Sequence, residues 1–158
     1  MDLPIRKNIR LRDYDYSQGG VYFITICTKN KSPILWDINV GTTNGRPPIS
    51  RNGQIVDNAI NNISAVYPSA EIDKYVIMPN HVHMLISLSD NDGQTLQSPK
   101  IGRVIQHLKG YVRKQIGYMI WQTRFYDHII RDEKDYLARW KYIDENPLKW
   151  QDDELCRE

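Results

Sequence analysis

Residues Tyr75–Leu88 read YVIMPNHVHMLISL, the most apolar run of a 158-residue chain, yet imidazoles stand at its centre in His81 and His83. Pro79 and Asn80 interrupt the run, so it reads as a strand from Glu71 to Met78 that resumes from His81 to Leu88. Strand side chains alternate between faces, which puts His81 and His83 on one face, about 7 Å apart at Cα. With the phase carried through Pro79–Asn80, Tyr75, Ile77, Leu85 and Ser87 share that face and Val82 takes the other. Two imidazoles at i and i+2 can converge on one metal ion, and they can equally be two histidines on a solvated sheet. Their neighbours are mixed rather than polar, as expected of the floor of an active site.

Outward from this core the chain alternates strand and helix signals. Val21–Cys27 is β-branched and aromatic and enters from the Gly19–Gly20 turn, a strand. Ile34–Val40 reads as a shorter strand, the stretch from Gly41 to Pro48 as a loop or hairpin tip around Asn44–Gly45, and Ile49 as the site of a third short strand. Ile55, Ala59, Ile60, Ile63 and Val66 recur at helical spacing, which predicts a helix over 52–67 stopped by Pro68. The polar stretch from Ser89 to Pro99 precedes a second helix over 100–116, apolar at Ile101, Val104, Ile105 and Leu108. Trp121 to Arg131 is extended or irregular. Asp132 can cap a last helix over 133–146, which Pro147 ends. The pattern predicts a single α+β domain over 1–158 with an antiparallel sheet, helices on one face, and the other face left to hold a ligand. Residues 1–18 form an N-terminal arm and 132–147 the last helix.

Composition excludes several classes. Hydrophobic residues are 41% and charged residues 25% of the chain, an ordinary globular balance. The two cysteines, Cys27 and Cys156, have no CxxC spacing, which argues against a disulfide scaffold and fits a reducing cytoplasm. No apolar run is long enough to span a membrane, and no secretory signal is read at the N-terminus. The net charge of +2 is unevenly spread: Lys100 to Arg131 holds seven Lys/Arg against one acid, Asp127, while Asp132 to Glu158 holds five bases against nine acids. A basic segment beside an acidic one suits a polyanion-facing surface or a solvated helix face.

Two stretches together carry a family resemblance. YVIMPNHVHMLISL resembles the HUH motif (His, hydrophobic, His) of the single-tyrosine transposases. IWQTRFYDHIIRDEKDYLARWKYIDENPLKW, from Ile120 to Trp150, resembles the C-terminal signature of the REP-associated tyrosine transposases within that family. The shared elements are Trp121–Gln122, Asp127–His128, Arg131, Asp132–Glu133, Asp135–Tyr136, Tyr142 and Asn146–Pro147. The opening YDYSQGGVYFITICT is similar as well, so the resemblance covers nearly the whole chain. It implies a ferredoxin-like or RRM-like fold with the HUH site on the sheet. It also implies a metal-dependent single-stranded DNA endonuclease and strand transferase, acting through a 5′-phosphotyrosine link on hairpin, REP-like DNA in the bacterial cytoplasm. Relatives include dimers that share sites and monomers that do not, so both states stay open.

The same resemblance assigns roles. Tyr142 is the nucleophile, His81 and His83 are metal ligands, and Asn146 matches the third-ligand position for Mg²⁺ or Mn²⁺, ions that favour hard oxygen donors. Tyr142 and Asn146 are at i and i+4, on one helical face; as a local feature Asn146 is equally a C-terminal cap. Tyr126 and Tyr136 are rival nucleophiles, with aromatic packing as their alternative role. His128 matches a family position and is read as structural or DNA-contacting. Arg103, Lys109, Arg113 and Lys114 fall on adjacent turns of one helix and can meet phosphates. Arg124, Phe125 and Tyr126 combine charge with ring faces suited to unstacked bases, and Arg131 follows them. The competing reading is a non-catalytic single-strand-binding module on the same fold, which needs the basic surface but neither His81 nor Tyr142.

Overall fold

The structure is a computed structural model that describes residues 20–37, 48–89 and 101–146. Its elements are β1 (Gly20–Cys27), α1 (Arg51–Asn61), a short α2 (Ile63–Val66), β2 (Ala70–Ile77), β3 (His81–Leu88), α3 (Ile101–Ile116), β4 (Tyr126–Ile130) and α4 (Glu133–Glu145). The strands form one antiparallel-paired sheet in the order β2-β3-β1-β4. β1-α1-β2 and β3-α3-β4 are interleaved crossovers of opposite polarity, and both lay their helices on the same face. This is the expected α+β, ferredoxin-like arrangement.

That first face is the larger core. Ile24, Ile26, Val82, Met84 and Ile86 meet Val56, Ala59 and Ile60 of α1 and Val104, Ile105, Leu108 and Val112 of α3, and none of them exceeds 4% exposure. Each buried Ile or Leu stabilises by about 1.5–3 kcal/mol. α1 starts at Ser50, whose hydroxyl accepts from the Gly53 amide at 3.1 Å. Gly53 is required by contact: a Cβ there would sit 2.2 Å from the Leu35 carbonyl oxygen. The expected single helix over 52–67 breaks at Asn62 into α1 and α2. The expected short strand over 34–40 is, within the described residues, a single Trp36–Ile49 bridge.

The second face is not left bare. α4 lies across it, with Tyr136 and Ile143 buried against Phe23, Val76, Leu85 and Ile130. Asp132 caps this helix by accepting from the Asp135 amide at 2.7 Å. The Tyr136 hydroxyl donates to Asp73 at 2.9 Å, and Lys74 pairs with Asp144 at 3.0 Å, so both ends of α4 are tied to β2. Coverage on both faces explains the apolar run: every residue from His81 to Ile86 is buried.

Four expectations are corrected. Pro79–Asn80 is the tip of a tight hairpin, closed by the Met78 amide on the His81 carbonyl at 2.7 Å, and not an interruption of one strand. The phase therefore resets: Tyr75 and Ile77 pair with Met84 and Val82 and face α1 and α3, while Leu85 and Ser87 stay with the histidines. Cys27 is joined in a disulfide, so the cysteines no longer argue for a reducing compartment; the chain's other cysteine, Cys156, lies outside the described residues. Lys109 is not on an exposed face. It is 9% exposed, and its ammonium donates to the Gln122 and Arg124 carbonyls at 2.9 and 3.3 Å, because it occupies the apolar stripe between Ile105 and Val112. Burial lowers its pKa from the usual value. Lys109→Ala should cost roughly 1–3 kcal/mol by thermal or urea unfolding, since it releases the segment that leads into β4. The N-terminal arm (1–18), residues 41–47 and residues 90–99 lie outside the described residues, as does Pro147.

Candidate active site

β1 and β3 pair with Cys27 opposite His81 and Thr25 opposite His83, which fixes the two imidazoles on the α4 face. Their ring centroids are 4.6 Å apart. Each is oriented through Nδ1: His81 by the Asn80 side-chain oxygen at 2.6 Å, His83 by the Thr25 hydroxyl at 2.7 Å. These Nδ1 bonds fix the orientation of each ring, as such bonds do for metal-binding histidines. His81 is 1% and His83 0% exposed.

Phe23, one register step from Thr25, is the hub of the site. His83 stacks on it at 5.3 Å, and Tyr142 of α4 stands edge-on to it at 5.9 Å. Tyr142 lies 5.1 Å from the His83 ring of the same chain. One turn later comes Asn146, 4% exposed, whose side-chain oxygen is buried without a hydrogen-bond partner. An orphaned buried amide oxygen costs about 1–3 kcal/mol unless something occupies it. This is not the behaviour of a capping side chain; only the Asn146 backbone caps, through Ile143. Among the described residues no three His, Cys, Asp or Glu gather in one place. Paired imidazoles and a buried amide oxygen are each donor types that divalent cations take.

The other predicted residues separate into groups. Tyr136 is core, at 1% exposure. Tyr126 is not: it is 41% exposed and edge-on to Phe23 at 6.4 Å, so its ring borders the site. His128, paired with Phe23 across β1 and β4, holds Asp135 at 2.7 Å and so joins the edge strand to the start of α4. Arg103, Arg113 and Lys114 are exposed on α3, across the sheet from Tyr142, while Arg124 and Arg131 are exposed on either side of edge strand β4. Sequence reasoning missed Phe23, Thr25 and Arg139. Arg139 precedes Tyr142 by three positions on one helix, a spacing visible in sequence; Phe23 and Thr25 needed the strand register.

Comparison with known proteins accords with this geometry. The chain is 35% identical to an uncharacterized protein of Haemophilus influenzae, over 95% of this chain and 92% of that one. It is 28% identical to a REP-associated tyrosine transposase of Escherichia coli K12, over 85% and 70% of the two chains. The solved structure of a REP-associated tyrosine transposase bound to a REP hairpin superposes with a TM-score of 0.65 at 25% identity, covering 95% of this chain and 74% of that one. No protein-family model matches the chain. In both sequence and fold, the chain resembles the REP-associated tyrosine transposases.

Proposed function

We propose that the chain is a metal-dependent, single-tyrosine endonuclease and strand transferase acting on single-stranded hairpin DNA. One observation carries the reading: Tyr142 stands 5.1 Å from His83, which is 4.6 Å from His81, on a helix that ends in the orphaned Asn146 oxygen. His81, His83 and Asn146 would hold Mg²⁺ or Mn²⁺. Such an ion, when bound, polarises the scissile phosphate and neutralises developing charge.

The chain's own residues do the rest. The Tyr142 oxygen attacks phosphorus, the bond to the 3′ oxygen breaks, and the leaving strand ends as a 3′-hydroxyl. The 5′ phosphate remains on Tyr142 as a diester, which keeps the bond energy for rejoining. A phenol has a pKa near 10, so at neutral pH Tyr142 depends on its surroundings to become a nucleophile. Thr25 and Asn80 keep the imidazoles in place, and Phe23 and α4 exclude water from one side. The relative's REP hairpin motivates a hairpin substrate here.

The direct experiment incubates the chain with Mn²⁺ and a labelled pool of single-stranded hairpins with random loops and flanks. A covalent band on a denaturing gel, lost in EDTA, is expected. Binding without any such band would favour a non-catalytic single-strand-binding module. The basic surface is tested separately. Neutralising Arg113 and Lys114 together should flatten the log–log salt dependence of pool binding by roughly 0.7 per lost phosphate contact. An unchanged slope would mean that the outer side of α3 points away from DNA.

A further inference from the structure

α4 brings a cation to the same hub. The Arg139 guanidinium lies over the Phe23 ring, 4.9 Å from its centroid, and Phe23 also carries His83 and Tyr142. Its Nε faces Asp135 at 3.5 Å. Asp135 is shared, since its second oxygen meets His128 Nε2 at 2.7 Å. No other described residue pairs with Arg139, and its side chain is 27% exposed. The guanidinium is thus fixed on its face by a buried ring and on one edge by a carboxylate, with solvent reaching the remainder.

A helix-surface ion pair at i and i+4 stabilises by about 0.3–0.5 kcal/mol, too little to explain holding a guanidinium against the hub ring. Lys74, the cation on the other flank of α4, is spent on Asp144 and on the Trp140 ring at 4.6 Å. A phosphodiester at Tyr142 brings a negative charge and planar pairs of oxygens, which a guanidinium matches with two parallel N–H donors.

We propose that Arg139 grips the phosphodiester that Tyr142 attacks, donating from its terminal amino groups to a non-bridging oxygen. Asp135 aims it, and His128 acts as a positioning residue by holding Asp135. The proposal rests on the nuclease reading and names a residue for the same site. Charge on the phosphate oxygens is then met by a group that is preorganised before the strand arrives, the condition under which such donors contribute most.

The test uses the whole chain, Mn²⁺ and the random hairpin pool, with Arg139→Met and Arg139→Lys. Arg139→Met should slow covalent adduct formation by about 10²-fold or more, as loss of one transition-state donor does. In a Tyr142→Phe background it should flatten the salt slope of pool binding by about 0.7. Mn²⁺ binding, read directly by titration, should be unchanged. Arg139→Lys should restore the slope but only part of the rate, because an ammonium is a point charge without the planar fork. Wild-type rate and slope in Arg139→Met would overturn the proposal and leave a helix ion pair. If Arg139→Met does not fold, a wild-type rate in Arg139→Lys overturns it. Should wild type form no adduct while the slope still falls in Arg139→Met, the nuclease reading fails and the phosphate grip stands. If neither is seen, both fail.

Discussion

Tyr142→Phe should form no covalent protein–DNA adduct on the hairpin pool, a loss to below detection. The substitution removes one oxygen and keeps the ring, so the edge contacts to Phe23 and His83 survive. Its cost in stability should be roughly 1 kcal/mol or less, the range of one net hydrogen bond. Mn²⁺ binding and hairpin binding should persist, because the imidazoles, Asn146 and the basic surface are untouched. Tyr126→Phe should keep most of the cleavage, since Tyr126 borders the site from an exposed position. Tyr136→Phe should also cleave, but at a stability cost of about 1–3 kcal/mol, because the half-buried Asp73 carboxylate loses a donor. Melting curves and denaturing gels run on the three variants separate these effects. An adduct that persists in Tyr142→Phe and disappears in one of the others would place the nucleophile elsewhere.

His81→Ala or His83→Ala should abolish cleavage and weaken Mn²⁺ binding while leaving hairpin affinity nearly intact. The ion serves the chemistry, whereas affinity comes mostly from phosphate contacts. The two variants should differ in stability. His83 is fully buried, stacked on Phe23 and bonded to Thr25, so its removal opens a cavity and leaves a hydroxyl without its partner. His81 sits at the hairpin end of β3 against Asn80, and its loss should cost less. Mn²⁺ titration beside thermal unfolding distinguishes lost ligation from lost folding. Full cleavage by wild type in EDTA would remove the metal from the account.

Much of this site can be read in the sequence because its parts are close neighbours along the chain. His81 and His83 are two residues apart in a strand, and Tyr142 and Asn146 are one turn apart in a helix, so local periodicity places each pair. What periodicity cannot do is join them. The meeting of Tyr142 with His83 depends on α4 crossing the second sheet face, a long-range packing choice made by Tyr136, Leu137, Trp140 and Ile143. The hairpin at Pro79–Asn80 escaped for the same reason: a continued strand and a tight turn differ only in what pairs with what, and Ile77 opposite Val82 is information of pairing. Lys109 is different. It stands four residues after Ile105 and three before Val112, inside the apolar stripe, so its burial was legible and a residue-type expectation for lysine displaced it. Phe23 reads as ordinary strand core until β1 is placed between β3 and β4, where it becomes the ring on which the site is assembled.

We propose that Tyr142 carries the DNA, and peptide mapping of the covalent adduct tests this most directly. Trypsin places the three candidate tyrosines on separate peptides: Tyr126 on 125–131, Tyr136 on 135–139 and Tyr142 on 142–149. After nuclease trimming of an adduct formed with Mn²⁺, mass spectrometry should find the nucleotide phosphate on the peptide 142–149 and on neither of the others. A nucleotide on 125–131 or 135–139, or a DNA-binding protein that yields no modified peptide at all, would contradict the account.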